Sequence, residues 1–200
     1  MLSTRKSPIN IFMFTVNLPK PSNTLVNMIQ KDLISARESY QSPSYKQQGE
    51  VDFIYFHGES SLIGINEYQS FFDEDINFTG MLFKPDSTTT KSSLAPHPDT
   101  GRLTGLNFIL DTGGDSVTTT WYNKTNPDLS YKEWPKEINE TLVPWTSYIY
   151  QTDTWYAMDS SRFHSVENIE HERLVLTISL RDLKFSDFLI KYRHLIDSIV

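Results

Sequence analysis

The run Arg173-Leu174-Val175-Leu176-Thr177-Ile178-Ser179-Leu180 constrains the fold most. In an extended chain successive side chains point to opposite faces. Leu174, Leu176, Ile178 and Leu180 then fill one face, while Arg173, Val175, Thr177 and Ser179 make the other. The first face is core, and the second is able to line a pocket.

Shorter runs of strand character recur along the chain. Ile9–Val16, Asp52–Phe56, Ser61–Gly64, Leu103–Leu110, Ser116–Tyr122, Trp155–Asp159 and Phe163–Val166 are apolar, β-branched or aromatic, with turn-forming residues between them. His57-Gly58-Glu59-Ser60 reads as the turn between Asp52–Phe56 and Ser61–Gly64. Asp111-Thr112-Gly113-Gly114-Asp115 reads as a hairpin turn with Ser116–Tyr122 as its return strand. Helical spacing appears near each end. Ser22 or Asn23 caps a helix carrying Leu25, Val26, Ile29, Leu33 and Ala36 on one face through about Glu38. Ser186 or Asp187 caps a last helix with Phe188, Leu189, Tyr192, Leu195, Ile196 and Ile199 on its apolar side. The pattern predicts a mainly β chain of two sheets with helices packed outside, and 200 residues suit one domain over 1–200.

Composition removes several classes of function. A formal net charge of -7 with no basic stripe argues against nucleic acid as a partner. The absence of cysteine excludes disulfides, zinc-thiolate sites, iron–sulfur clusters and a cysteine nucleophile, and suits a reducing compartment, so a cytoplasmic location is expected. No apolar stretch is long enough to span a membrane. The N-terminal apolar run is broken by Asn10 and Thr15 and lacks a small-residue cleavage site, which marks a first strand and not a signal peptide.

The chemistry gathers around Ala95-Pro96-His97-Pro98-Asp99. Residues two apart on an extended backbone share a face, so His97 and Asp99 can present an imidazole and a carboxylate to one point, with Pro98 holding His97 out of the helical region. Of the 5 histidines, only His97 and His164 sit in extended segments beside other informative residues, which makes His164 the third candidate ligand. Two histidines and a carboxylate on one face of a metal leave positions open for a bidentate cosubstrate and dioxygen, as a non-haem ferrous site requires. Arg173, nine residues after His164, offers a planar fork to a dicarboxylate. Its alternative is an ion pair with Glu170 or Glu172. Arg102 pairs with Asp99 or Asp111, or serves as a second anion contact.

His97-Pro98-Asp99, then His164, then Arg173 before Leu174-Val175-Leu176 resembles the His-x-Asp…His…Arg pattern of the Fe(II)/2-oxoglutarate-dependent dioxygenases, in particular prolyl-hydroxylase-like and phage-type members. The likeness runs from about Ala95 to Leu180. It implies a double-stranded β-helix core of jelly-roll, cupin-like kind. It also implies Fe(II) held by His97, Asp99 and His164, and 2-oxoglutarate anchored by Arg173 through a contact of about 1.5–3 kcal/mol. Tyr122 and Asn107 are the candidates to assist on the cosubstrate, with Thr177 behind them; Val175 stands where the family often has a serine.

The expected activity is hydroxylation of a protein residue, amino acid or small metabolite with release of succinate and CO2. A non-catalytic β-helix binding module and a cupin-like metalloprotein without a keto acid are the alternatives. Gln41–Glu50, Ser87–Ser93 and Asn123–Thr141 are the segments expected to select the substrate.

Overall fold

Two antiparallel sheets face each other, and the chain passes back and forth between them. The computed structural model describes residues 12–39, 51–85, 90–99, 101–125 and 142–199. The expected strand residues Ile9 to Ile11, the Gln41–Glu50 loop, and residues 87–89 and 126–141 of the other two proposed substrate-selecting segments lie outside them.

The strands are β1 (Met13–Val16), β2 (Val51–Phe56), β3 (Asn77–Pro85), β4 (Ser92–His97), β5 (Thr104–Asp111), β6 (Thr118–Lys124), β7 (Leu142–Ile149), β8 (Trp155–Asp159), β9 (His164–Ile169), β10 (Arg173–Leu180) and β11 (Ile196–Ile199). The helices are α1 (Asn23–Ser39), α2 (Glu59–Tyr68) and α3 (Phe185–Lys191). The 7-stranded sheet has the order β11-β1-β8-β5-β10-β3-β2, and the 4-stranded sheet β4-β9-β6-β7. From β3 to β10 the chain crosses from the larger sheet to the smaller and back, and β8-β5-β10-β3 lies against β4-β9-β6-β7. This is a double-stranded β-helix with helices on the larger sheet.

The alternation along β10 separates two cores. Leu176, Ile178 and Leu180 join Phe78, Leu106, Phe108 and Trp155 of the larger sheet under Leu25 and Ile29 of α1, Tyr68 of α2 and Phe188 of α3. Val175 joins Met81, Phe83, Ile109 and Met158 against Leu94, Trp121, Val166 and Ile169 of the smaller sheet, so the other face of β10 looks into the space between the sheets. Ser22 caps α1 by accepting from the Leu25 amide at 3.1 Å. The Pro19 carbonyl accepts from both Tyr68 Oη and Trp155 Nε1 at 3.0 Å, which ties the β1–α1 connection to the core.

Several local expectations are corrected. Ser61–Gly64 is not a strand: it lies in α2, whose buried face is Ser60, Gly64 and Tyr68. That helical spacing is carried by small and polar residues, so an apolar-pattern reading passes over it. The helix start is held from afar by Asp32, whose Oδ2 accepts from the Ser60 amide at 2.9 Å. Gly113 and Gly114, with φ of 81° and 141°, do not close a hairpin, because β5 and β6 belong to different sheets. The Gly113 carbonyl instead accepts from the amides of Glu170 and His171 at 2.8 and 3.0 Å, pinning this corner to the β9–β10 turn.

At the C-terminus α3 follows Lys184, makes no side-chain cap bond and ends at Lys191. Ile196–Ile199, expected as its continuation, forms β11 against β1. Lys191 of α3 reaches Asp73 and Glu74 at 3.2 and 2.6 Å. β3 and β7 were not distinguished as strands in the sequence. Pro144 obscures β7, which runs at a sheet edge, where a missing amide donor is tolerated.

Candidate metal and anion site

Strand pairing builds the first half of the site. His97 ends β4, His164 begins the neighbouring β9, and the two are directly paired in register. Asp99 lies just beyond the strand, its amide donating to the Ser160 carbonyl at 2.9 Å. His97 Nε2 and His164 Nε2 lie 3.7 and 3.9 Å from the same oxygen, Asp99 Oδ1. One ligand atom from each of the three residues lies within 4.8 Å of the others.

The hydrogen bonds around this cluster assign the histidine protons. His97 Nδ1 donates to the Ala95 carbonyl at 2.7 Å, and His164 Nδ1 donates to the Arg162 carbonyl at 2.9 Å. A carbonyl can only accept, so each Nδ1 carries a proton, and in the neutral imidazole the Nε2 lone pair is the one turned toward Asp99 Oδ1. Burial pushes the His164 imidazole down to about 4, against the pull of Asp99, so it is neutral at pH 7. Burial alone would raise the Asp99 carboxyl, but the Arg102 guanidinium with the His164 and His97 imidazoles outweighs it and holds Asp99 well below the usual carboxylate range. Arg102 Nε donates to the other oxygen, Asp99 Oδ2, at 2.7 Å, which leaves Oδ1 facing the histidines. Arg102 is thus the partner of Asp99, not of Asp111.

The second half lies farther along the interior face of β10. Arg173, Val175, Thr177 and Ser179 share that face, and the run spans about 20 Å at the rise of an extended strand. Arg173 is 3 % exposed. Its Nη1 donates to the Thr112 carbonyl at 3.1 Å, and its Nε has no hydrogen-bond partner among the described residues. Glu170 and Glu172, its sequence alternatives, pair with Lys91 and Arg37 instead. Burial lowers the guanidinium to about 10, so it remains charged at pH 7. It lies over the Tyr150 ring with 5.0 Å to the centroid and over Phe83 with 5.8 Å. Gly113 permits this packing, because a Cβ there would lie 2.8 Å from Arg173 Cβ.

A chain of contacts links the two halves. Tyr150 Oη is 4.0 Å from Met158 Sδ, Asn107 Nδ2 donates to the same sulfur at 3.0 Å, and Arg102 Nη1 donates to Thr177 Oγ1 and, at 3.5 Å, to Asn107 Oδ1. Trp121, paired with His164 in register, also faces the interior and has its indole 6.2 Å from the His164 ring; its buried Nε1 is unpartnered among the described residues.

The structure therefore brings His97, Asp99 and His164 together and puts Arg173, Asn107 and Thr177 in the same interior. Tyr122 is elsewhere. Its hydroxyl bonds Ser165 Oγ at 3.0 Å and Glu167 Oε1 at 2.7 Å, residues that alternate with the inward Val166 and so face outward. The phenol beside the guanidinium is Tyr150, which the sequence reading did not single out. It lies just past β7 in a segment without a motif, and only its place among aromatic residues hinted at burial.

No protein-family model matches the chain, and no curated protein matches it either. Among solved structures it is similar to a Pseudomonas putida prolyl-4-hydroxylase, with 14% identity and a TM-score of 0.45 over 84% of this chain and 90% of that one. It is also similar to the non-heme alpha ketoglutarate dependent epimerase SnoN from nogalamycin biosynthesis, at 12% identity and a TM-score of 0.44 over 83% and 76%. The Fe(II)/(alpha)ketoglutarate-dependent dioxygenase TqaL matches at 13% identity and 0.37 over 89% and 79%.

Proposed function

We propose that this chain is an Fe(II)- and 2-oxoglutarate-dependent dioxygenase of one domain, hydroxylating a substrate with release of succinate and CO2. The observation that carries the reading is the pairing of two incomplete sites in one interior. One ligand atom from each of His97, Asp99 and His164 converges within 4.8 Å, and the buried Arg173 guanidinium keeps an Nε with no hydrogen-bond partner among the described residues. A metal satisfies the first and a dicarboxylate cosubstrate the second. The donor set, two imidazoles and one carboxylate, fits ferrous iron with positions left open.

His97, Asp99 and His164 would hold the metal through Nε2, Oδ1 and Nε2, and the Ala95 and Arg162 carbonyls keep both imidazoles in the ligating tautomer. Arg102 holds Asp99 so that one oxygen is offered. Arg173 would take the distal carboxylate of 2-oxoglutarate, with Trp121 Nε1 and the neutral Tyr150 phenol as further donors. Burial pushes that phenol up, although the Arg173 guanidinium opposes the shift. Bound iron, 2-oxoglutarate and dioxygen supply the oxidising chemistry; the chain orients the reactants and keeps water out. A cupin-like site without a keto acid leaves the buried Arg173 charge unanswered.

Anaerobic addition of Fe(II) and 2-oxoglutarate should give a weak visible charge-transfer band. Asp99→Ala should abolish it, and a band of undiminished strength in that variant would remove Asp99 from the metal.

A further inference from the structure

Beside Asp99, on the side away from Arg173, lies a cavity of about 420 Å³. It is set between α2 and the ends of β2, β3 and β10, and its wall includes His57, Asn77, Thr79, Ser179 and Arg181. The wall is unusual in its chemistry. Beside the apolar Phe78 and Ile65, the strand residues Asn77, Thr79, Thr177 and Ser179 bring an amide and hydroxyls where the neighbouring interior carries Val175, Met81 and Ile109. Ser61 also lines it, and its hydroxyl has no hydrogen-bond partner among the described residues.

Charge decides what such a cavity accepts. Asp99 and Arg102 both border it, but they neutralise each other through the 2.7 Å contact. Arg181 makes no ion pair with any described residue. Arg181 is therefore the lining arginine whose charge no described side chain answers. A single guanidinium balances a single negative charge, and its fork matches a carboxylate. The volume is in the range of small-molecule sites.

We infer that this cavity binds the prime substrate, a small polar molecule bearing one carboxylate, and that Arg181 is the residue that selects it. The assignment rests on the oxygenase reading for its place beside the metal and deepens it by naming the substrate class. With the carboxylate on Arg181 and hydroxyl or amino groups on Thr79, Asn77 and Ser179, the remainder of the molecule lies next to Asp99. Binding by Arg181 is a matter of specificity, since its guanidinium belongs to the cavity wall and not to the metal or cosubstrate contacts described above.

The test measures binding by calorimetry and saturation-transfer NMR, using a panel of hydroxy- and amino-carboxylic acids of three to eight carbons and their primary amides. Samples are wild type, Arg181→Gln and Arg181→Lys, each with and without Mn(II) and 2-oxoglutarate, and 2-oxoglutarate affinity is titrated alongside. At least one acid should bind, its amide should bind about tenfold more weakly or worse, Arg181→Gln should produce the same loss, and Arg181→Lys should restore part of it. Arg181 is exposed, so the variants should melt with wild type. Failure of every acid to bind, equal binding of acid and amide, or unaltered affinity in Arg181→Gln overturns the inference. Preference for phosphate monoesters over all acids also overturns it. So does loss of 2-oxoglutarate affinity in Arg181→Gln, which would give the cavity to the cosubstrate. If 2-oxoglutarate and Mn(II) bind normally while the acids do not, the inference alone has failed; if 2-oxoglutarate does not bind wild type, the oxygenase reading has failed.

Discussion

Arg102 and Arg173 reach into the same space between the sheets, yet their surroundings differ in kind. Arg102 is answered from within the chain: Asp99 takes its Nε at 2.7 Å, and Thr177 and Asn107 take its Nη1. Gly105 leaves room for it, since a Cβ there would lie 2.9 Å from the guanidinium carbon. Arg173 is buried more deeply, but it meets one backbone carbonyl and two aromatic rings and keeps an orphaned Nε. A buried charge paired inside the fold supports the fold, whereas one without a countercharge costs stability that a ligand has to return. The first arginine is therefore part of the scaffold of the triad, and the second is the one that the proposed function gives to the cosubstrate.

The contrast breaks most readily at Arg173. Arg173→Met should weaken 2-oxoglutarate binding about ten- to a hundredfold while the ligand-free melting temperature holds level or rises. A large fall in melting temperature with affinity intact would make this arginine structural as well. Arg102→Met should do the reverse first, lowering the stability of the metal-free protein by about 3 kcal/mol in urea titrations because Asp99, with its side chain 14% exposed, loses its partner.

Acid sharpens the same comparison on the triad side. His164 is held near 4 in the folded protein against about 6.5 unfolded, so the unfolded chain takes up the proton first as pH falls. The metal-free protein should be at full stability above pH 6.5 and lose about 3 kcal/mol between there and pH 4, and His164→Gln should flatten that slope in urea midpoints measured across the range. The smallest effect separates two tyrosines. Tyr150→Phe should weaken 2-oxoglutarate severalfold, in keeping with about 1 kcal/mol for one hydrogen bond, whereas Tyr122→Phe should leave its affinity within about twofold of wild type.

The histidine and aspartate pair was legible because it is local: two residues apart on an extended chain is a geometric statement. The inward parity of Arg173 was legible for the same reason, since Val175 and Thr177 share its face. What failed were readings that required knowing a partner. Gly113-Gly114 has the backbone freedom of a hairpin, but which sheet receives the next strand depends on β9 and β10. α2 hides because its buried face includes Ser60 and Gly64, the latter packed on Phe78, which only the packed sheet supplies. Ile196–Ile199 has apolar residues that suit a helix or a strand, and pairing with β1 chose the strand.

By itself the order of residues determined the strand-rich character, the alternating faces of β10 and the presence of two histidines, a carboxylate and a following arginine in a suggestive order. The tertiary structure decided which phenol stands beside Arg173, which arginine is neutralised, and where the open cavity lies. Those outcomes depend on contacts between residues far apart in the chain, such as Arg102 with Thr177 and Arg173 with Tyr150. Local preference constrains a backbone two or three residues at a time, but a countercharge is supplied only when the sheets close around it.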